Sequence, residues 1–88
     1  MDAESRDDWA FEGRYYGITR LASVADPEGY GFELDDLGPA PERGTVLSAF
    51  WDDQSGVLTF TAHTDVALPF SLVERFLAQV RSEVSPIA

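Results

Sequence analysis

The chain has 88 residues, no cysteine and a formal net charge of −10, because sixteen acidic residues face six arginines and no lysine. This charge disfavours nucleic acid and anionic membranes as partners, since both would repel the protein. Disulfides and thiolate metal sites are excluded by composition, while 44% hydrophobic residues are typical of a folded domain. The acidic N-terminus lacks the basic and apolar regions of a secretory signal, so we expect a cytoplasmic protein.

The N-terminal residues change from acidic to aromatic. Residues 1–8 contain four acids and no large apolar side chain after Met1, which predicts a flexible acidic tail. A single domain is then predicted over residues 9–88. Trp9 and Phe11 lie two positions apart and should dock on one face of a short extended segment.

The next two segments are predicted to form a β-hairpin. Residues 15–24 are rich in aromatic and β-branched side chains and predict the first full strand. Residues 26–29 read Asp-Pro-Glu-Gly, the composition of a type I turn. Apolar and polar residues then alternate over 30–35, which predicts a second strand with one dry and one wet face. Two prolines and two glycines in residues 36–44 predict a long loop.

The third predicted strand differs because both of its faces carry apolar residues. It spans residues 45–51, with Val46 and Phe50 on one face and with Leu47, Ala49 and Trp51 on the other. Residues 52–56 form a polar hairpin loop, and residues 57–64 return as the fourth strand.

The C-terminal segment changes to helical periodicity, with apolar residues three and four apart: Phe70, Val73, Phe76, Leu77, Val80 and Val84. The helix could begin with Pro69 in its first turn or with a capping box at Ser71. The sequence therefore predicts an α+β fold in which a four-stranded antiparallel meander precedes one amphipathic helix, packed on one face of the sheet.

Few residues have the spacing of a catalytic or metal-binding group. His63 and Asp65 are two apart at the end of a predicted strand and could share one face, but no nucleophile motif accompanies them. The pairs Asp35-Asp36 and Asp52-Asp53 could hold a cation if they converged, yet acids in loops are more often solubilising. We therefore expect no enzyme activity and no cofactor.

The apolar residues of the third strand suggest an interaction surface. A single helix covers only one face of the sheet, so either Leu47 and Trp51 or Val46 and Phe50 should remain exposed. Such a surface favours a homodimer or a protein partner. Alternatively, the segment containing Trp9 and Phe11 folds over it.

The two strands around the 52–56 loop carry a resemblance. Residues 44–51 read Gly-Thr-Val-Leu-Ser-Ala-Phe-Trp and residues 56–61 read Gly-Val-Leu-Thr-Phe-Thr. This glycine, strand, polar turn and Leu-Thr-rich strand resembles the β-rich half of small acidic immunity proteins from bacterial polymorphic toxin systems. The resemblance covers about a quarter of the chain and implies tight binding of another protein.

Charge and resemblance together predict a protein-binding function. The expected role is a non-enzymatic inhibitor or immunity-type protein that occludes a basic site on its partner. The residues expected to contact this partner are Asp35, Asp36, Leu47, Trp51, Asp52 and Asp53. The alternative is a small homodimeric accessory domain whose acidity reflects a high-salt or GC-rich background.

Overall fold

The computed structural model describes residues 8–24, 28–40 and 43–84, which form one antiparallel sheet and one helix. The strands are β1 (Asp8–Phe11), β2 (Arg14–Ser23), β3 (Gly29–Gly38), β4 (Gly44–Asp52) and β5 (Leu58–Ala62), followed by the helix α1 (Phe70–Val84). The spatial order is β1-β2-β3-β4-β5, so neighbours in sequence are neighbours in the sheet. The predicted α+β meander with a C-terminal helix is confirmed, but the sheet has five strands instead of four.

The additional strand is β1, which pairs with the beginning of β2. Trp9 lies opposite Tyr16, and a two-residue turn of Glu12 and Gly13 joins the strands. Both turn residues have positive φ, 51° and 80°, as type I′ hairpin turns require. A glutamate in place of the usual asparagine or aspartate made this turn hard to recognise from sequence. Of the predicted tail, residues 1–7 lie outside the described residues, and residue 8 already belongs to β1.

The loop between β3 and β4 is shorter than predicted. β3 continues to Gly38 and β4 begins at Gly44, so Asp36 is a strand residue and not a loop residue. Half of the turn predicted for residues 26–29 lies outside the described residues, because 26 and 27 are not described, and Gly29 already begins β3.

A β-bulge in β4 decides which residues reach the core. Leu34 pairs with Leu47, but the next residue, Asp35, pairs with Thr45, so Val46 is the extra residue. Val46 and Leu47 are both buried in the core. The prediction that they lie on opposite faces is therefore wrong, and the third strand leaves fewer apolar side chains uncovered than expected.

α1 packs on the face of the sheet that carries Ile18, Phe32, Leu34 and Leu47, which we call the helix face. Its fully buried residues are Leu72, Phe76 and Val80, spaced four apart. Phe70 and Leu77, which were predicted to share this buried stripe, are 76% and 41% exposed. The helix starts at Phe70, and the Pro69 carbonyl accepts hydrogen bonds from the Leu72 and Val73 amides, so Ser71 is not the cap.

β1 also directs its aromatic residues to the helix face. Trp9 is buried in the core, and the Arg75 guanidinium of α1 lies 4.3 Å from the centre of a Trp9 ring. Trp9 and Phe11 therefore do not fold over the opposite face of the sheet, as one alternative had it. Within the described part of the chain, no helix is long and apolar enough to cross a membrane.

Candidate functional site on the outer face of the sheet

The face of the sheet opposite α1, which we call the outer face, presents four rows of residues from β2, β3 and β4. The registers place Ser23, Gly29 and Asp52 in the first row; Leu21, Gly31 and Phe50 in the second; Thr19, Glu33 and Ser48 in the third; and Gly17, Asp35 and Thr45 in the fourth. Successive rows are about 7 Å apart, because side chains on one face recur every second residue. The outer face thus carries Ser23 and Asp52 at one end, then an apolar row, and is acidic and hydroxyl-rich in the middle.

The apolar row is built around glycines. A Cβ atom at Gly31 would lie 3.6 Å from Leu21 Cδ1 and 3.7 Å from Phe50 Cδ1, so these two side chains flank the glycine from the neighbouring strands. At Gly29 a Cβ atom would lie 1.8 Å from the Trp51 carbonyl oxygen and 2.9 Å from Phe50 Cζ. The Phe50 ring therefore rests against bare backbone, and any side chain at Gly29 would displace it.

The acidic middle contains a carboxylate fixed by hydroxyl groups. Thr45 Oγ1 donates a hydrogen bond to Asp35 Oδ1 at 2.7 Å, and Thr19 Oγ1 donates to Asp35 Oδ2 at 3.1 Å. Both hydroxyls come from strands flanking β3, so the sheet itself orients this carboxylate. Glu33 lies one row away on the same strand and is half-buried.

Arginines are absent from the outer face among the residues that the structure describes. Arg14 and Arg43 bind the Asp36 carboxylate, Arg20 binds Glu83 of α1, Arg75 stacks on Trp9, and Arg81 lies on α1. Asp36 and Arg20 are helix-face residues, since they pair with Tyr16 and Phe32. The fold therefore gathers the positive charge on one side and leaves Glu33 and Asp35 on the other.

The pairing of Arg20 with Glu83 joins β2 to the last turn of α1. Arg20 Nε donates to Glu83 Oε1 at 2.8 Å, and Gln79 Nε2 donates to Glu83 Oε2 at 2.6 Å. These hydrogen bonds, above all those from Arg20, hold the pKa of Glu83 below its usual range despite the opposing effect of burial. Arg20 is therefore committed to the helix and does not neutralise the outer face.

Asp36, which was predicted to contact a partner, is enclosed at one end of the helix face. Its side chain is inaccessible to solvent and accepts hydrogen bonds from Arg14 Nε at 3.1 Å, Arg43 Nη1 at 3.2 Å and the Gly38 amide at 2.9 Å. Burial and the nearby Asp36 carboxylate raise the pKa of Tyr16, because both disfavour the phenolate. The Asp36 carboxylate therefore joins β3 to β2 and to the residue before β4, and its side chain is not accessible to a partner.

Of the other predicted contact residues, Asp52 lies at one end of the outer face, where it pairs with Gly29, and the rest lie elsewhere. Leu47 is buried beneath α1, and Trp51 is half-buried with its Nε1 donating to Asp53 Oδ1 at 3.0 Å. Asp52 Oδ1 accepts hydrogen bonds from the Gln54 and Ser55 amides at 2.8 and 3.2 Å, which closes the β4–β5 turn. Of these four residues, Leu47 therefore belongs to the core, and Trp51, Asp52 and Asp53 make hydrogen bonds in or beside the turn.

The two acidic pairs also occupy opposite ends of the sheet. Asp52 lies opposite Gly29 at the start of β3, whereas Asp36 lies opposite Gly44 near its end. Seven residues of extended strand separate these levels, which is roughly 23 Å. A cation cannot bridge them, and no group of three metal-ligating side chains is close enough to hold a metal ion within the described ranges.

His63 makes a contact that the sequence did not suggest. Ser48 Oγ and His63 Nε2 are hydrogen-bonded at 2.7 Å on the exposed outer face. A serine hydroxyl hydrogen-bonded to a histidine is the first requirement of a nucleophile–base pair. Within the described residues no third side chain orients the imidazole through a hydrogen bond, including Asp65, the partner expected from sequence. We interpret the pair as part of the hydroxyl-rich surface.

The residues that distinguish the outer face are Leu21, Phe50 and Glu33. The sequence offered Phe50, together with Val46, as one of two alternative exposed pairs, but it singled out neither Leu21 nor Glu33 as a contact residue. The alternation over 30–35 had placed Glu33 and Asp35 on a wet face, so part of the signal was present. Which apolar residues join them depends on pairing among three strands. Comparison with known proteins finds no matching family model, no matching curated protein and no matching solved structure. The resemblance to immunity proteins therefore stays a prediction.

Proposed function

We propose that this protein is a non-enzymatic binding domain whose outer face docks on a basic surface of a partner protein. The single observation that supports the proposal is the segregation of charge across the sheet. Glu33 and Asp35 occupy the uncovered face, while the described arginines lie on the helix side. A role as inhibitor or immunity-type protein follows if the basic surface is the partner's active site.

Charge would guide the encounter, and the apolar row would hold the complex. A net charge of −10 attracts a basic protein from a distance and raises the association rate, mainly at low salt. Leu21 and Phe50 then offer an aliphatic and an aromatic side chain next to the acids. Leu21 is 49% exposed, so docking removes apolar surface from water.

The orientation of Asp35 favours recognition of a guanidinium or ammonium group. Its two oxygens are held by Thr19 and Thr45, so little side-chain entropy is lost when a cation approaches. Charge-assisted hydrogen bonds of this kind are stronger than neutral ones. Cytoplasmic location and lack of catalysis remain part of this proposal.

Two double variants that have the same net charge as each other test the proposal. The double variant Glu33→Gln with Asp35→Asn removes two negative charges from the outer face. Its matched control, Asp65→Asn with Glu74→Gln, removes two charges from exposed residues outside it. Each protein serves as bait in lysate of the source organism, and captured proteins are identified by mass spectrometry.

We expect the unmodified protein and the control to capture the same basic protein. The outer-face variant should capture at least about tenfold less of it, because the lost charge complementarity reduces the binding free energy by about 1.4 kcal/mol or more. Raising the salt from about 50 mM to about 500 mM should weaken capture, because exposed charges are screened. Capture of no basic protein, or equal loss in both double variants, would contradict the proposal. Either result would leave the accessory-domain alternative with acidity as a background property.

A further inference from the structure

We propose that two copies of this chain associate through the exposed edges of β5, with a twofold axis passing at Phe60. The two sheets would then continue into one another across the antiparallel β5 strands. This surface is at the end of the sheet and includes neither Glu33 nor Asp35, so the inference does not rest on the proposed function.

The main-chain groups of β5 point the right way for this pairing. The His63 amide donates a hydrogen bond to the Val46 carbonyl at 2.8 Å. In an antiparallel pair, residues alternate between bonding the partner strand and facing away from it. Counting back from His63 in steps of two, Thr61 and Thr59 bond β4, whereas the amides and carbonyls of Leu58, Phe60 and Ala62 face away from it.

The sequence of β5, Leu-Thr-Phe-Thr-Ala, keeps its pattern of apolar and threonine residues when it is reversed about Phe60. A twofold axis there sets Phe60 opposite its own copy, Leu58 opposite Ala62, and Thr59 opposite Thr61. The outward groups would form about six main-chain hydrogen bonds. Apolar side chains would meet on the helix face, and hydroxyls would meet on the outer face, where Thr–Thr pairs are favourable.

Charge favours this edge as the place where two acidic copies can approach. Each copy carries −10, so contacts through acidic surfaces are repulsive. Residues 54–64 are eleven consecutive positions without a charged side chain, in a chain where 25% of residues are charged. The other edge strand, β1, is followed by Glu12 and Arg14. β5 also lacks the charge or proline that usually protects an edge strand from pairing.

The second copy would cover an apolar groove beside β5. Phe60 and Leu77 are 47% and 41% exposed and border a shallow groove of about 280 Å³ between β5 and α1. Its floor includes Ala49 and Val80. Directly opposed residues have Cβ atoms about 5 Å apart, so the two Phe60 rings would pack together over these grooves.

The experiment measures molar mass by light scattering after size-exclusion chromatography, from about 10 µM to about 1 mM, because self-association depends on concentration. The unmodified protein should reach twice the 9.7 kDa of one chain. Phe60→Lys places like charges directly opposite each other and should weaken dimerisation at least about tenfold. Phe70→Lys, the same substitution at a more exposed phenylalanine that belongs to α1 and does not line the groove, should leave the dimer intact.

A second variant covers the case in which Phe60→Lys does not fold, which circular dichroism will show. Ala62→Pro removes an amide that faces away from β4, so the protomer keeps its own ladder while the edge loses a donor. A mass of one chain for the unmodified protein up to about 1 mM would overturn the inference. It would also be overturned if folded Phe60→Lys or folded Ala62→Pro dimerised normally, or if Phe70→Lys had the same effect as Phe60→Lys.

Salt and the outer-face variant separate this inference from the proposed function. Screening reduces repulsion between like-charged copies, so salt should strengthen the dimer while it weakens binding of a basic partner. The Glu33→Gln, Asp35→Asn variant should dimerise at least as well as the unmodified protein. Weaker dimerisation of this variant would mean that the copies meet through the outer face, which would overturn the β5 interface.

Discussion

Replacing Asp36 by asparagine removes the charge from a carboxylate that solvent does not reach and that two arginines share. Arg14 and Arg43 would keep their positive charges next to a neutral amide, while the Gly38 amide would keep an acceptor of the same shape. Breaking a buried ion pair by removing one partner typically costs 3–5 kcal/mol, because the remaining charge is left uncompensated. The two arginine side chains are 21% and 30% exposed, so water can partly compensate them.

We therefore expect Asp36→Asn to lower the free energy of unfolding by about 2–4 kcal/mol. A domain of this length has a total stability of roughly 4–13 kcal/mol, so the loss is a large share of it. The melting temperature should fall by about 10–25 °C, since 1 kcal/mol corresponds to about 4–8 °C in a small domain. Urea unfolding at pH 7, followed by circular dichroism, measures the free energy directly.

The neighbouring residue provides the control. Asp35→Asn removes the same charge one position earlier, but from the outer face, where threonine hydroxyls and not arginines contact the carboxylate. Its cost should stay near 1 kcal/mol or below, the usual contribution of a partly exposed hydrogen bond. Equal losses in the two variants, or a loss below about 1 kcal/mol for Asp36→Asn at an unchanged denaturant slope, would refute the reasoning.

Two further predictions concern the helix and the alkaline limit of stability. Phe76→Ala should lower the free energy of unfolding by about 2–5 kcal/mol because Phe76 is fully buried. Leu77→Ala should lower it by less than about 1.5 kcal/mol because Leu77 is 41% exposed. Equal losses of stability in thermal unfolding would contradict the packing of α1. The raised pKa of Tyr16 means that the folded protein holds this proton more tightly than the unfolded chain does. Its contribution is therefore fully present below pH 10 and is lost as the pH rises from there through the folded pKa. Tyr16→Phe should reduce the fall in unfolding free energy between pH 8 and pH 11, and an unchanged fall would show that Tyr16 is not responsible for it.

Local pattern predicted much of the fold of this chain. Alternation over 30–35 correctly placed Phe32 and Leu34 on a dry face, and the polar residues at 52–56 correctly marked a hairpin turn. The change to three- and four-residue spacing identified α1. These signals are available in the sequence because strand and helix periodicities depend only on where successive side chains point along one element.

The same local reasoning failed where two periodicities compete or an element is short. Several apolar residues of α1 fit more than one stripe, and contact with the sheet selected Leu72, Phe76 and Val80 over Phe70 and Leu77. β1 has four residues and an unusual turn, so its existence depends on pairing with β2. Residue spacing alone therefore predicts neither the buried stripe of α1 nor the pairing of β1 with β2.

Tertiary structure decided which residues join Glu33 and Asp35 on the outer face and which enter the core. The bulge brought Val46 and Leu47, which were predicted on opposite faces, into one core, and the contact of Asp36 with Arg14, 22 positions earlier, converted an expected surface acid into a buried one. Strand alternation places Glu33 on the uncovered side, while Asp36, Glu83 and the Trp9 ring bind arginines on the helix side. The net charge can be counted from the sequence. The separation of acidic and basic side chains between the two faces, however, depends on strand pairing and helix packing, which bring together residues that are far apart in the chain.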